Sequence, residues 1–353
     1  MAARTRSAAR RGFTLIELMV SVAVGLFVLA AAVRLTTDQS RILGRATSRL
    51  EMHQSARLAA DLMAQDLRHA SVGLGYRPDG TFAGLSRGSF TVPGGAAFQA
   101  NDRAVSLASG PVLTDDLGVR MTTGAIRTIA AYTMTTAQLC AGSGLDVGDV
   151  VVLMSREGLH ARTVQVSGLS AATCGAGTCV RGCEDLAFVA DGSYASDLSA
   201  AAADYTEGEM AGEFAHVAWF LVPGADGRGR LQRAEVTAQQ PCSVADATCG
   251  GLVADNVELL QVAVWQWDEE TQVWVDRTTT GDLSDRSRTR VDLELIMRAA
   301  HTDAGDALQA PLTSELAPSQ CLPAPCGQPK DQVRRYALRS SVEIRNSGRM
   351  QIR

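Results

Sequence analysis

The chain has 353 residues, enough for one large domain or two modest ones with a proper core. Its formal charge of −5 comes from 33 basic and 38 acidic residues scattered without a basic block, which argues against nucleic acid as a partner. One lysine, Lys330, stands against 32 arginines, a skew that carries no functional reading.

The first eleven residues hold Arg4, Arg6, Arg10 and Arg11 and no acid. A positive segment ahead of an apolar run stays on the cytoplasmic side and the remainder is exported. From Phe13 to Val33 only Thr14, Glu17 and Ser21 depart from apolar or small residues. As a helix these 21 residues rise about 31 Å, enough to cross a bilayer core. A secretory signal peptide cut near Ala30-Ala31-Ala32 and a plain signal anchor both leave Glu17 unexplained. A carboxylate in an apolar helix costs about 2.5–3.5 kcal/mol on insertion scales, so it asks for a function.

The segment from Arg34 to Ala70 is rich in helix formers and free of proline, the first of which is Pro78. The predicted helix runs from about Thr14 to about Ala70, roughly 85 Å. Its second half is expected to lie against the exported domain, with Leu43, Ala46 and Leu50, then Leu58 and Leu62, then Met63 and Leu67 at face-sharing spacings. Gly73 and Gly75 supply the stop.

Beyond them the composition turns to short β-like runs separated by turn residues. Predicted strands are 104–108, 149–154, 161–166, 216–222, 230–237, 257–267, 289–298 and 337–345. The runs around Asp226-Gly227 read as a hairpin with a longer loop. Residues 191–204 and 300–328 read as loops, the latter with Pro311, Pro318, Pro323 and Pro325. The division is therefore 1–12 leader, 13–33 membrane and assembly helix, 34–73 amphipathic continuation and 74–353 β-rich exported domain.

All eight cysteines lie in that domain: Cys140, Cys174, Cys179, Cys183, Cys242, Cys249, Cys321 and Cys326. An even set behind an export signal points to disulfides rather than to a metal site, since no histidine accompanies Cys174, Cys179 and Cys183. Cys242–Cys249 and Cys321–Cys326 are the favoured local bridges, and the pairing of the rest stays open. Asp115-Asp116 and Asp282 with Asp285 are candidate calcium ligands by composition; lacking EF-hand spacing, they read as solvated turn acids. Trp265 and Trp267 share one side of a strand and, with Trp274, read as a buried sheet face rather than a sugar- or partner-binding one. There is no P-loop, no G-x-S-x-G and no H-E-x-x-H, so neither an enzyme nor a cofactor is expected.

Two resemblances add to this reading. Arg11-Gly12-Phe13-Thr14-Leu15-Ile16-Glu17 resembles the prepilin processing motif of type IV pilins and type II secretion pseudopilins. That implies cleavage between Gly12 and Phe13 by a prepilin peptidase, N-methylation of Phe13, and pairing of Glu17 with the Phe13 amine of a neighbouring subunit. It also implies an α+β, type IV pilin-like fold, a long helix packed on a β-rich domain. The stretches 256–262, 291–298 and 334–346 are similar to PilW-type minor pilins, although Tyr336 stands where phenylalanine is commoner. This implies a minor pilin that primes assembly or sits near the tip, with other minor and major pilins, an inner-membrane assembly platform and a tip adhesin as partners. The implied location is the bacterial inner membrane with the domain in the periplasm, then the filament at the cell surface. The alternatives are a J-type pseudopilin of type II secretion and a membrane-anchored binding protein that never polymerises.

Overall fold

The computed structural model describes residues 14–70, 85–86, 103–107, 110–133, 135–140, 142, 144–154, 161–174, 179, 182–190, 210–236, 248, 250–278, 288–299, 312–313, 316, 321–322, 333 and 335–344. The chain divides into two compact units, 1–51 and 52–353. Helix α1 (Leu15–Arg68) supplies most of the first unit and the opening of the second.

In the first unit the helix is apolar and exposed from Leu15 to Val33. In the second, Met52, Ala56, Ala59, Ala60, Met63, Ala64 and Leu67 form a buried stripe at helical spacing. Four of these seven are alanine, which lets the helix backbone come close to the sheets. The expected stripe through Leu43 and Leu50 is not buried; both are exposed, as is Leu58. The expected Met63 and Leu67 are buried, and between them and Met52 small residues mark the packed face. Amides of His69 and Ala70 bond back to Asp66 and Leu67 carbonyls, tightening the last turn.

The strands are β1 (Leu85–Ser86), β2 (Arg103–Leu107), β3 (Gly110–Thr114), β4 (Leu117–Tyr132), β5 (Thr136–Cys140), β6 (Val150–Met154), β7 (Ala161–Ala172), β8 (Cys183–Ala190) and β9 (Met210–Pro223). They continue with β10 (Gly229–Val236), β11 (Gly251–Asp255), β12 (Val257–Asp268), β13 (Val273–Asp276), β14 (Thr289–Arg298), β15 (Leu312–Thr313), β16 (Cys321–Leu322) and β17 (Arg335–Ile344). Every pairing among the described residues is antiparallel.

Strands β4 and β9, 16 and 14 residues long, organise the domain. Their Leu117–Thr122 and Phe214–Trp219 parts pair with each other, and β10 and β11 extend that sheet. Further along, β4 turns to β5 and β9 turns to β6, closing a ring β4–β5–β8–β7–β6–β9. Register breaks in β4 between Thr123 and Arg127 and between Ile129 and Ala131 accompany the change of direction, as bulges do. The six-stranded ring has its own filling: Ile129, Leu139, Val151, Leu153, Val166, Leu186 and Phe188, among others. Closure leaves these strands without open edges.

The second sheet runs β13–β12–β14–β17. Leu260, Val262 and Val264 of β12 face the main core with Val291, Leu293 and Leu295 of β14. That core also takes in the helix stripe and the inward residues Leu117, Val119, Val217, Trp219 and Leu221. The remaining edge of β12 is occupied by the β3–β4 turn. The Asp115 amide donates to the Leu260 carbonyl, the Val262 amide to Asp115 Oδ2, and the Thr114 hydroxyl both donates to and accepts from Leu260.

Candidate functional site

The candidate site is the amino-terminal assembly segment. Gly12 and Phe13 lie outside the described residues; Thr14 onward is described. Thr14 precedes the first helical residue and Glu17 stands three positions later, the spacing of a capping box. The Glu17 amide donates to Thr14 Oγ1 at 3.3 Å, while Glu17 Oε2 accepts from the Thr14 amide at 3.1 Å and its hydroxyl at 3.0 Å. The helix N-terminus also favours a negative charge at this place. Glu17 is thus held by its own first turn.

The other polar side chains of the segment are satisfied in the same local way. Ser21 Oγ donates to the Glu17 carbonyl at 2.6 Å, and the hydroxyls of Thr36 and Thr37 donate to carbonyls of Ala32 and Val33. A bilayer offers no partner for such groups, so local satisfaction is what a spanning helix requires. The helix is long and apolar enough to cross a membrane.

The β-rich domain is joined to its helix by Asp66. Its carboxylate accepts from Trp219 Nε1 at 2.9 Å and from Arg233 Nε and Nη2 at 2.9 and 3.0 Å. Sequence reasoning missed this acid; a carboxylate one position before Leu67, inside an apolar stripe, was the available signal.

Two sequence expectations are corrected. Asp115 and Asp116 are buried, not solvated. Asp115 caps the β12 edge, and Asp116 pairs with the Arg103 guanidinium through two bonds at 2.8 and 3.0 Å. Both therefore have structural work in place of cation binding; Asp282 and Asp285 lie outside the described residues. Trp265, Trp267 and Trp274 form a half-buried face, not a buried one. Arginines fill in where a covering layer was expected: Arg288 stacks 5.7 and 5.6 Å from Trp267 and Trp274, and Arg290 stacks 5.3 and 5.0 Å from Trp265 and Trp274. Glu343 and Asp292 pair with these arginines in turn.

The charged residues inside β12, β14 and β17 form ion pairs across the strands. Buried Glu258 bonds Arg335 at 2.6 Å and lies 3.7 Å from Arg298, and buried Glu294 bonds Arg339 at 3.0 Å. On the neighbouring sheet His216 and Arg120 are register partners and both buried. Burial first, and the Arg120 charge second, push the His216 imidazole down to about 3. Exposed Glu213 is shifted upward by burial of its surroundings and by Asp149 and Glu235.

Four of the eight cysteines are described with their partners. Cys140 is bonded to Cys179 and Cys174 to Cys183, with Cα separations of 5.4 and 5.1 Å. The sulfurs of Cys174, Cys179 and Cys183 gather within 4.8 Å of one another, but all three are taken up in disulfides. Cys242, Cys249 and Cys326, and the side chain of Cys321, lie outside the described residues.

Residues 7–33 match the family model of the prokaryotic N-terminal methylation motif. No curated protein matches the chain. Among solved structures, a type IV-like pilin from Thermus thermophilus is similar at 17% identity and a TM-score of 0.20, over 56% of this chain and 85% of that one. With a methylation motif of the prepilin type, a long apolar amino-terminal helix and a β-rich globular domain behind it, the chain is a membrane-anchored type IV pilin-like protein.

Proposed function

We propose that the chain is a minor pilin, a structural subunit that a prepilin peptidase processes between Gly12 and Phe13 and that enters a type IV pilus with other pilins. The observation that carries this is the methylation motif over residues 7–33, with Glu17 at the head of an apolar helix. An amine and a carboxylate are each costly in lipid and relieve one another when paired, so Glu17 accepts the processed Phe13 amine of a neighbour. The domain's size and the absence of proline before Pro78 support a minor subunit near the tip rather than a bulk shaft subunit. The chain's role is assembly, not catalysis.

The test is Glu17→Ala in the full chain, followed by amino-terminal analysis of the mature protein and by detection in purified filaments. Processing continues and incorporation is lost. A mature chain beginning after Ala32, or normal incorporation of the variant, would overturn the reading. Deleting the pilus machinery and, separately, a type II secretion machinery distinguishes a pilin from a pseudopilin: surface display of the chain depends on the first alone.

A further inference from the structure

Four cysteines converge on one end of the six-stranded ring. Cys140 closes β5, Cys183 opens β8, and the two are register partners. Cys174 stands two residues beyond β7, and Cys179 lies in the β7–β8 connection. Because Cys174, Cys179 and Cys183 sulfurs lie within 4.8 Å of one another and Cys179 is bonded to Cys140, the two disulfides abut.

The bonds present span 39 and 9 residues. Shorter closures exist in the same cluster: Cys179 is four residues from Cys183 and five from Cys174. Loop-closure entropy favours the nearer partners, so the native pairs are not those that chance collision forms first. Cys174 and Cys179 are half-buried and within reach of thiols from outside, whereas Cys183 is buried.

We propose that this cluster reaches its native pairing by internal thiol–disulfide exchange, which makes the ring end a substrate for a dithiol–disulfide oxidoreductase. A carrier disulfide first oxidises the near pair Cys179–Cys183, taking up the two electrons and leaving as two thiols. The Cys174 thiolate attacks the Cys183 sulfur; the Cys174–Cys183 bond forms, the Cys179–Cys183 bond breaks, and Cys179 leaves as thiolate. Cys179 then attacks a second carrier disulfide, forming a mixed disulfide and releasing one carrier thiolate. The Cys140 thiolate displaces the other, giving Cys140–Cys179. One carrier disulfide is reduced for each protein disulfide made, and the thiol protons pass to solvent.

The test uses the full-length Cys140→Ser chain in detergent micelles, reduced, reoxidised in glutathione buffer, trapped by alkylation over time and mapped by mass spectrometry. The Cys179–Cys183 bond with Cys174 alkylated comes first and gives way to Cys174–Cys183 with Cys179 alkylated. Alkylation confined to Cys179 from the earliest trap onward would overturn the proposal. Should that variant misfold, the reduced wild-type chain decides through timed reoxidation and trapping. Cys179–Cys183 or Cys174–Cys179 rises before the native pairs and decays faster when a disulfide isomerase is added. Native pairs as the first and sole products within the cluster would refute exchange.

Discussion

Asp66 and Arg233, 167 residues apart in sequence, meet in a two-bond ion pair between the last turn of α1 and strand β10. The carboxylate is mostly shielded, at 10% side-chain exposure against 35% for the guanidinium, and it also takes the indole N–H of Trp219. Removing the acid therefore strands a buried donor and a half-shielded cation at once. Asp66→Ala is expected to cost about 2–4 kcal/mol, less than a fully buried pair because Arg233 keeps some water. Urea unfolding of the full chain in micelles measures this. Asp66→Asn, which keeps an acceptor, falls between the two proteins. A loss under about 0.5 kcal/mol would mean the contact does not hold the helix.

The close approach of two sheets sets the second prediction. Gly229 opens β10, and a Cβ built there would lie 1.8 Å from the Val257 carbonyl oxygen, backbone that has no room to swing aside. Gly229→Ala is expected to destabilise the domain by about 3 kcal/mol or more, with the damage transmitted to the start of β12. The same change at Gly168, where the nearest atom is Ala187 Cβ at 3.7 Å, serves as the comparison and is tolerated. Thermal melts of the two variants side by side make the measurement.

Much of this architecture was legible because periodicity survives in the parts that face one core. The predicted helix, 14–70, and the observed Leu15–Arg68 agree, and so do the predicted strand 289–298 and hairpin 216–237. Strands β1, β3, β4, β5, β8, β11, β13, β15 and β16 were not foreseen, and β15 and β16 fall within 300–328, which reads as a loop. β4 reads as glycine- and threonine-rich because its two halves serve different cores and a register break separates them. The helix face was read correctly at Met63 and Leu67, which are buried, and missed at Ala56, Ala59, Ala60 and Ala64, which carry little hydrophobic signal, whereas Leu43 and Leu50 carry much and are exposed. Ring closure and the Cys140–Cys179 pairing depend on contacts far apart in sequence, which local patterning does not encode. In the amino-terminal segment Glu17 stands out in the sequence as an acid within an apolar run; its bonds to Thr14 became visible only as geometry.

His216 sets a pH dependence. Its folded-state value of about 3 lies below the ordinary 6.5, because burial and then Arg120 oppose the charged imidazolium. The unfolded chain thus takes up a proton that the folded chain refuses. The contribution is complete above pH 6.5 and is lost as the pH falls towards 3. His216→Phe is expected to flatten the fall in stability across that window, by up to about 1.4 kcal/mol per pH unit. Urea midpoints of both proteins at pH 7, 5.5 and 4 are the check. An unchanged difference between them at all three pH values would show that His216 does not titrate on unfolding.

The capping box allows the local role of Glu17 in its first turn to be separated from the assembly role proposed for it. Thr14→Val removes the hydroxyl that caps the helix and donates to the carboxylate, yet leaves the Thr14-position amide, and hence one bond, to Glu17. The loss of a threonine cap costs about 1 kcal/mol, so amides of Leu15 to Leu18 are expected to exchange roughly five-fold faster in micelles. Thr14→Ser restores protection. The charge at Glu17 is untouched in both, so filament incorporation persists in Thr14→Val while it is lost in Glu17→Ala. If instead Thr14→Val abolished incorporation as completely as Glu17→Ala, the geometry of the first turn, and not the carboxylate's charge, would be what a neighbouring subunit recognises.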